Sequence, residues 1–270
     1  MSEKRETILR LTQDATGKIT DVKIFQETPP EKPLTVIELK PETEATYLRD
    51  LTEDSVVDWG DGTKSTVTAA EAEAKEVRHT YATTSTANRI VTIDGVIDRT
   101  GDSDDSPFDT MALTVVRSLG KLSGDVNHLF SFCGSLTAIS AGLFDHCTAV
   151  TNFGSCFYDC NSLTAIPEGL FDHCTAVTDL YFCFYDCSSL TAIPAGLFDH
   201  CTVVTNFFKC FYKCSSLTGE TPYTIVDGKK VKLWERSPEN GFVKTSSDSK
   251  CFIGCTGLSD YAEIPYGWKQ

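Results

Sequence analysis

The amino-acid sequence predicts a mainly β protein, in which an N-terminal β-sandwich is followed by a solenoid of 27-residue coils. Two observations support this prediction. The first part of the chain contains short alternating apolar segments separated by Gly, Pro, Asp and Thr, which is typical of an antiparallel sandwich. The second part contains an internal repeat with a period of 27 residues. All 12 cysteines lie in this second part, between Cys133 and Cys255.

Length and charge limit the classes of protein to which the chain can belong. Its 270 residues allow one large domain or two ordinary ones. The 24 basic and 38 acidic residues give a net charge of −14, which opposes binding to nucleic-acid phosphates. No apolar run reaches the roughly 18 residues of a membrane span, so we expect no membrane insertion. Residues 1–7 carry charges without a following apolar segment, so no secretory signal is visible.

Composition divides the chain into three regions. Residues 1–33 contain two apolar segments around a Gly-containing turn and are predicted to form a hairpin or an arm. Residues 34–107 form the predicted sandwich, and the acidic, Pro-terminated segment 101–107 at its end has the composition of a linker. The clearest strands of the sandwich are predicted at 35–39, 55–59 and 89–93. Residues 108–270 contain the repeat.

The repeat unit reads C-x-S-L-T-A-I-P-x-G-L-F-D-H-C-T-x-V-T-x-F-x-x-C-F-Y-x. One unit cannot bury its own apolar residues, so successive coils are expected to stack around a shared core. Each coil is predicted to have two short extended segments, with Gly, Pro and Asp at the corners. The leucines that keep register are predicted to form one inward column, namely Leu136, Leu163, Leu190 and Leu217.

An insertion near residues 220–249 interrupts the end of the array. The segment 251–255 matches 210–214 but follows it 14 residues later than the period requires. The inserted residues 223–234 contain two β-prone runs around Asp-Gly, which is a strong hairpin signal. Residues 264–268 then repeat the start of a unit in altered form, as expected of a terminal cap.

The cysteines could form a disulfide framework or a set of buried thiols. An even number favours disulfides in a short secreted chain. Buried thiols are favoured here, because the position of one cysteine column is occupied by Leu129 one unit earlier and free Cys behaves as a small buried hydrophobe. The column concerned is Cys156, Cys183 and Cys210.

Two motifs suggest chemistry and are better explained as structure. The triplet Asp-His-Cys recurs at 145–147, 172–174 and 199–201. Neighbouring side chains in an extended or turn backbone point in different directions, so His and Cys do not converge on a metal or form a catalytic pair. Asp58 and Asp61 in the turn 58–63 supply fewer oxygen ligands than calcium takes. We therefore predict no catalytic residue, no metal ligand and no cofactor.

Two parts of the chain resemble known protein families. The turn 58–63, His79-Thr80-Tyr81-Ala82 and the strand 90–93 resemble a polycystic-kidney-disease (PKD) type, immunoglobulin-like domain. Residues 112–270 are similar to the BspA-like leucine-rich-repeat family, which is found on bacterial surfaces and in some phage proteins. This second resemblance rests on 113–116, on each C-x-S-L-T-A-I-P unit and on the closing segment 255–268. It implies adhesion or recognition on an exterior surface, without enzymatic activity or a fixed cofactor.

The sequence therefore favours a non-enzymatic surface protein that binds a protein or a glycan through its repeat domain, outside a bacterial cell or on a phage virion. Two alternatives remain open. The protein could be a phage virion fibre or decoration protein that contacts the host surface, which needs no signal peptide. It could instead be a cytoplasmic protein–protein interaction scaffold, which would suit the many thiols. An enzyme that uses Cys and His is disfavoured, because every candidate pair belongs to the repeat.

The candidate ligand-binding residues are aromatic, because recognition hot spots favour Tyr and Trp. One set recurs once per unit beside Asp159, Asp186 and Lys213, and it consists of Tyr158, Tyr185 and Tyr212. The second set lies on the inserted hairpin and consists of Tyr223 and Trp234. Insertions in repeat proteins often emerge on the binding face. The alternative is that the tyrosines pack between coils and that Trp234 covers the end of the array.

Overall fold

The computed structural model describes residues 7–13, 19–26, 34–99 and 105–270, the first two ranges through their backbone. The fold is mainly β, as predicted. Its strands are β1 (Thr7–Gln13), β2 (Ile19–Gln26), β3 (Thr35–Leu39), β4 (Ala45–Arg49), β5 (Val56–Asp58), β6 (Lys64–Thr66), β7 (Glu76–Thr80), β8 (Arg89–Asp94), β9 (Val96–Arg99), β10 (Leu113–Ser118), β11 (Lys121–Gly124), β12 (Ala138–Ile139), β13 (Tyr223–Val226) and β14 (Lys229–Lys232). The α-helices are α1 (Ala69–Ala74) and α2 (Tyr266–Lys269), and short 3-10 helices cover Leu233–Glu235 and Pro238–Asn240.

A six-stranded sheet joins the two halves of the chain. Its strand order is β12-β10-β3-β8-β5-β6, and β3, β5 and β8 lie where the sequence predicts strands. The pairs are antiparallel except β10–β12, which runs parallel with Val115 opposite Ala138. Because β10 pairs with β3, the sheet crosses the boundary predicted at residue 107. Two-stranded pairs are formed by β1–β2, β4–β7, β9–β11 and β13–β14.

A buried tryptophan organises the turn between β5 and β6. The indole nitrogen of Trp59 donates to Ser65 Oγ at 2.9 Å, and the His79 ring stacks on the indole at a centroid distance of 4.7 Å. The Tyr81 hydroxyl donates to the Trp59 carbonyl at 3.2 Å. These contacts anchor the 58–63 segment against the core. The Asp-Trp-Gly-Asp-Gly motif therefore has a structural role.

The two aspartates of this turn are occupied by protein partners. Asp58 accepts from the Gly60 amide at 3.0 Å and pairs with Lys64 at 3.1 Å. Burial opposes ionisation of Asp61, yet hydrogen bonds from Thr63 and His79 lower the pKa of this carboxyl to about 2. The carboxylates therefore stabilise the turn itself.

The junction between the halves is buried. Residues 101–104 of the predicted linker lie outside the described residues. After them, the Ser106 hydroxyl donates to the Leu129 carbonyl at 2.9 Å, and the Phe108 ring stacks on Phe130 at 5.3 Å. Arg99 forms a buried ion pair with Asp50 at 2.7 Å and donates to the carbonyl of residue 127. One hydrophobic core therefore continues from the sheet into the repeats.

Backbone hydrogen bonds join each repeat to the next. The Phe157 amide donates to the Cys183 carbonyl at 2.8 Å, and the Phe184 amide donates to the Cys210 carbonyl at 2.8 Å. Intervening amides close local turns, as when the Cys156 amide donates to the carbonyl three residues earlier. Alternate amides thus bind the next repeat and their own turn, which satisfies the buried backbone.

Turns dominate the repeats, and little regular strand is present. Between residues 128 and 222, β12 and two isolated parallel bridges, 152–179 and 179–206, are the strand-like pairings that the structure shows. The reason lies in left-handed residues that recur in each unit, such as Ser155 with φ of 53° and Asp159 with φ of 58°. A strand requires extended backbone throughout, so two left-handed residues per unit convert the segment to turns.

Phenylalanine rings form a continuous stack through the core of the array. Neighbouring centroids lie 5.2 to 5.8 Å apart, with interplanar angles of at most 16°. The stack consists of Phe108, Phe130, Phe157, Phe184, Phe211 and Phe252. The leucines predicted to face inward are all fully buried, namely Leu136, Leu163, Leu190 and Leu217. Identical side chains from successive units therefore meet one another in the interior.

Truncating one inward leucine should destabilise the array. For Leu163→Ala we expect the free energy of unfolding to fall by about 2–5 kcal/mol, because the side chain is fully buried and leaves a cavity. The matched control is the exposed neighbour Thr164→Ala, expected within about 0.5 kcal/mol of wild type. Urea unfolding measures both, and equal losses in the two variants would contradict an inward leucine column.

Candidate functional site

The three repeat tyrosines stack on one another at the surface. The Tyr158 and Tyr185 rings lie 4.6 Å apart at an interplanar angle of 4°, and Tyr185 and Tyr212 lie 4.8 Å apart at 6°. The Phe132 ring extends the row at 5.2 Å from Tyr158 and is 53% exposed. We call these four residues the aromatic ladder. The sequence-predicted tyrosines are therefore brought together by the fold, and each is half-buried.

The backbone sets the spacing of the ladder. The amide of Asp159 donates to the Tyr185 carbonyl at 2.8 Å, and that of Asp186 donates to the Tyr212 carbonyl at 2.8 Å. Such hydrogen bonds hold neighbouring chain segments about 4.8 Å apart, which is the distance between stacked rings. The tyrosine faces consequently cover one another. The ladder presents mainly ring edges and hydroxyl groups to a partner.

A second row of side chains widens the ladder. Phe182 lies 5.4 Å from the Tyr185 ring and 5.5 Å from the Phe208 ring. The Lys209 ammonium lies 5.1 to 5.4 Å from the rings of Tyr212, Phe208 and Phe182, within cation–π distance. This row could not be predicted from the repeat, because its equivalent positions hold three different residue types, Ser155, Phe182 and Lys209. A periodic pattern is visible in a sequence only where equivalent positions hold similar residues.

Charge changes sign along the ladder. Asp159 and Asp186 flank its earlier tyrosines, whereas Lys209 and Lys213 flank Tyr212. Burial, and after it the neighbouring charge of Asp186, raises the pKa of the Asp159 carboxyl. Two like charges are therefore held close together at one end, and two cations are held at the other. A partner surface with the opposite order of charges would reduce the repulsion between the acids at one end and between the cations at the other.

The inserted hairpin lies against the array rather than away from it. Trp234 is half-buried and meets Phe252 at 6.4 Å and Trp268 at 6.0 Å, both edge to face. Tyr223 lies under the ammonium groups of Lys230 and Lys232, at 4.2 and 5.1 Å. The structure does not bring these two aromatic residues into the ladder, and Trp234 contacts the terminal rings of the core.

Two buried cations fasten the insertion to the array. Arg236 donates to the carbonyls of Cys201 at 3.0 Å and Phe198 at 2.8 Å. The Lys232 ammonium donates to Asp260 at 2.7 Å and to the Thr221 hydroxyl at 3.0 Å. Arg236 thus satisfies backbone acceptors at the edge of the array, which is the task of a cap.

The cysteines are free, buried and hydrogen-bonded in a repeating manner. In one column three thiols donate to the carbonyl of the phenylalanine 30 residues earlier, namely Cys160 to Phe130 at 3.1 Å, Cys187 to Phe157 at 3.1 Å and Cys214 to Phe184 at 3.0 Å. Burial raises the pKa of Cys133 and Cys201 to about 12 and that of Cys147 to about 11. Such thiols lack the thiolate that a nucleophile requires.

The histidines of the Asp-His-Cys triplets point to solvent. His146, His173 and His200 are exposed, whereas the adjacent cysteines are buried. The nearest acid to His173 Nε2 is Asp145, at 3.9 Å. Within the described residues, no three His, Cys, Asp or Glu side chains lie close enough to hold a metal ion. The triplet therefore does not assemble a reactive centre.

No protein-family model matches the chain, and no curated protein matches its sequence. In the part of the chain that the structure describes, none of the helices has the length and apolar character needed to cross a membrane.

Native alkylation should distinguish buried thiols from reactive ones. We expect iodoacetamide to modify the folded protein only slowly and to modify all 12 cysteines once it is unfolded, because thiolate formation is suppressed by burial. Adding reductant should leave the melting temperature nearly unchanged, since a disulfide would contribute about 2–4 kcal/mol. Rapid labelling of any folded cysteine, or a large fall in melting temperature with reductant, would contradict this assignment.

Trp234 is expected to act as a cap residue. Trp234→Ala should lower the free energy of unfolding by about 1–3 kcal/mol, less than a fully buried tryptophan, because the indole covers the terminal rings. Trp234 lies in the 3-10 helix that follows the β13–β14 hairpin, so the control is Tyr223→Ala, which is on the hairpin itself and should cost less. Thermal unfolding measures both variants. An unchanged melting temperature for Trp234→Ala would place the residue outside the cap.

Proposed function

We propose that the protein is a non-enzymatic recognition protein, which binds a protein or a glycan through the aromatic ladder. The observation that carries this proposal is the row of stacked, solvent-accessible rings with charged groups of both signs beside it. Aromatic side chains with neighbouring polar groups are the usual energetic centres of recognition surfaces.

In this proposal the repeats form a solenoid of 27-residue coils similar to the BspA-like leucine-rich repeats. The backbone hydrogen bonds between successive repeats and the stacked phenylalanines support that architecture. The preceding β region, which we infer to be a PKD-like, immunoglobulin-like sandwich, holds the first coil through the β3–β10 pair and the buried Arg99–Asp50 ion pair. Repeat arrays create extended binding faces by their geometry.

The chemistry of the thiols agrees with a role outside the cell or on a virion. A cysteine-rich chain on an exterior surface meets oxidants, which attack exposed thiolates first. Each cysteine here is buried, and burial raises the pKa of the thiols. We propose an exterior location on the basis of the family resemblance, and burial would protect the thiols there. The same features argue against catalysis by a thiolate.

A binding experiment on the ladder tests the proposed function. Purified chain is applied to a glycan array and to a protein array, as wild type and as Tyr185→Ala. We expect binding to fall by at least about tenfold in the variant, because truncating a hot-spot side chain costs about 2 kcal/mol or more and about 1.4 kcal/mol is already tenfold. The control is Tyr266→Ala, since Tyr266 is 75% exposed and lies outside the ladder.

Melting temperatures separate a binding defect from a folding defect. The ladder variant should lose affinity while its melting temperature stays close to that of wild type, since Tyr185 is only half-buried. Equal binding by wild type and Tyr185→Ala would remove the ladder from the recognition site. Binding to neither array would contradict the proposed ligand classes.

A further inference from the structure

We propose that the aromatic ladder binds the ladder of a second copy of this chain, so that two molecules form an antiparallel, two-fold symmetric dimer. The inference rests on the proposed function, because it names the partner of the same surface. It is carried by the order of charges along the ladder. Recognition through this face would then be homotypic.

The charged residues occupy equivalent positions of successive units. Asp159, Asp186 and Lys213 follow one another at 27-residue intervals, so they form one column with the two acids first. In a parallel column, Phe182 and Lys209 have left-handed backbone at 54° each, and Lys250 continues the column at 52°. The hydrogen bond from the Lys209 amide to residue 249 fixes this register. Both columns are therefore basic at the C-terminal end.

A two-fold axis across the stacking direction reverses this order in the second copy. With the axis between the rungs of Tyr185 and Tyr212, Asp186 of one molecule faces Lys213 of the other. Symmetry creates the same pair twice. Phe182 then faces Lys209 of the second copy, which is a cation–π arrangement. Pairing in the parallel sense would place the lysine-bearing ends together.

The ring geometry favours a protein surface over a saccharide. The faces of the tyrosine rings are covered by neighbouring rings at 4.6 and 4.8 Å, so a sugar ring cannot lie flat on them. Ring edges, hydroxyl groups and paired charges suit a flat surface of the same composition. The chain as a whole carries a net charge of −14, whereas this face carries both signs, so a second copy finds complementarity here despite the overall repulsion.

Charge reversal and rescue test the dimer directly. Sedimentation velocity over a concentration series should show wild-type chain associating to a dimer. Asp186→Lys and Lys213→Glu should each weaken association by at least about tenfold, because each puts two like-charged pairs into the interface. An equimolar mixture of the two variants should dimerise again, since every pair is then opposite in charge. The control Glu263→Lys, at an exposed position outside the ladder, should associate like wild type.

Each outcome decides the inference. Rescue in the mixture supports it and also shows that both variants are folded. A monomeric wild type at its highest soluble concentration overturns it, as does a dimer that both substitutions leave intact or a mixture that remains monomeric. If the wild type is monomeric yet Tyr185→Ala loses array binding, the homotypic inference fails and the proposed function stands. If the ladder affects neither measurement, both fail.

Discussion

The backbone hydrogen bonds between successive repeats determine most of the remaining structure. Because amides such as those of Phe157 and Phe184 donate to the next unit, each side chain meets its own equivalent at a fixed distance. A sequence that repeats is then forced to stack like on like. The phenylalanine stack in the core and the tyrosine stack at the surface have this common origin. The thiol-to-carbonyl bonds of Cys160 and Cys187 repeat for the same reason.

The same constraint creates the problem that the ends of the array solve. A repeat that lacks a neighbour leaves carbonyl groups and apolar rings uncovered, and both are costly in water. At the first end, Phe108 begins the ring stack and Ser106 donates to a repeat carbonyl. At the other end, Arg236 donates to two carbonyls, and Trp268 and Trp234 cover the last ring. The insertion and the β region are thus structural parts of one core.

Periodic features of the protein could be predicted from the sequence, and features formed once could not. Register alone indicates that Leu163 faces inward and that Tyr158 and Tyr185 form a row. The pairing of β10 with β3 joins residues far apart in sequence, which local patterns do not report. The sequence predicts turns with Gly, Pro and Asp at their corners, but it does not mark left-handed Ser155, a residue type that rarely adopts this backbone.

The candidate site shows the same difference between periodic features, which could be predicted, and features formed once, which could not. Its tyrosines were visible from their period, whereas Phe182 and Lys209 occupy a position that changes from unit to unit. Their contribution depends on side chains from two neighbouring units meeting at one place. Its residue type made Trp234 a candidate binding residue, whereas its contacts with Phe252 and Trp268 are those of a cap residue. The residue type limits the roles that a side chain can have, and its packing determines which of these roles it has.

Amide hydrogen exchange at Phe157 and Phe184 tests the central constraint most directly. Their amides donate across the repeat boundary, within a buried core. We predict that both exchange only through global opening, so that their protection matches the free energy of unfolding measured with denaturant. The amide of the exposed residue Thr164 should exchange rapidly in the same experiment. Rapid exchange at Phe157 and Phe184, comparable to that of Thr164, would contradict the account that hydrogen bonds between repeats hold the array together.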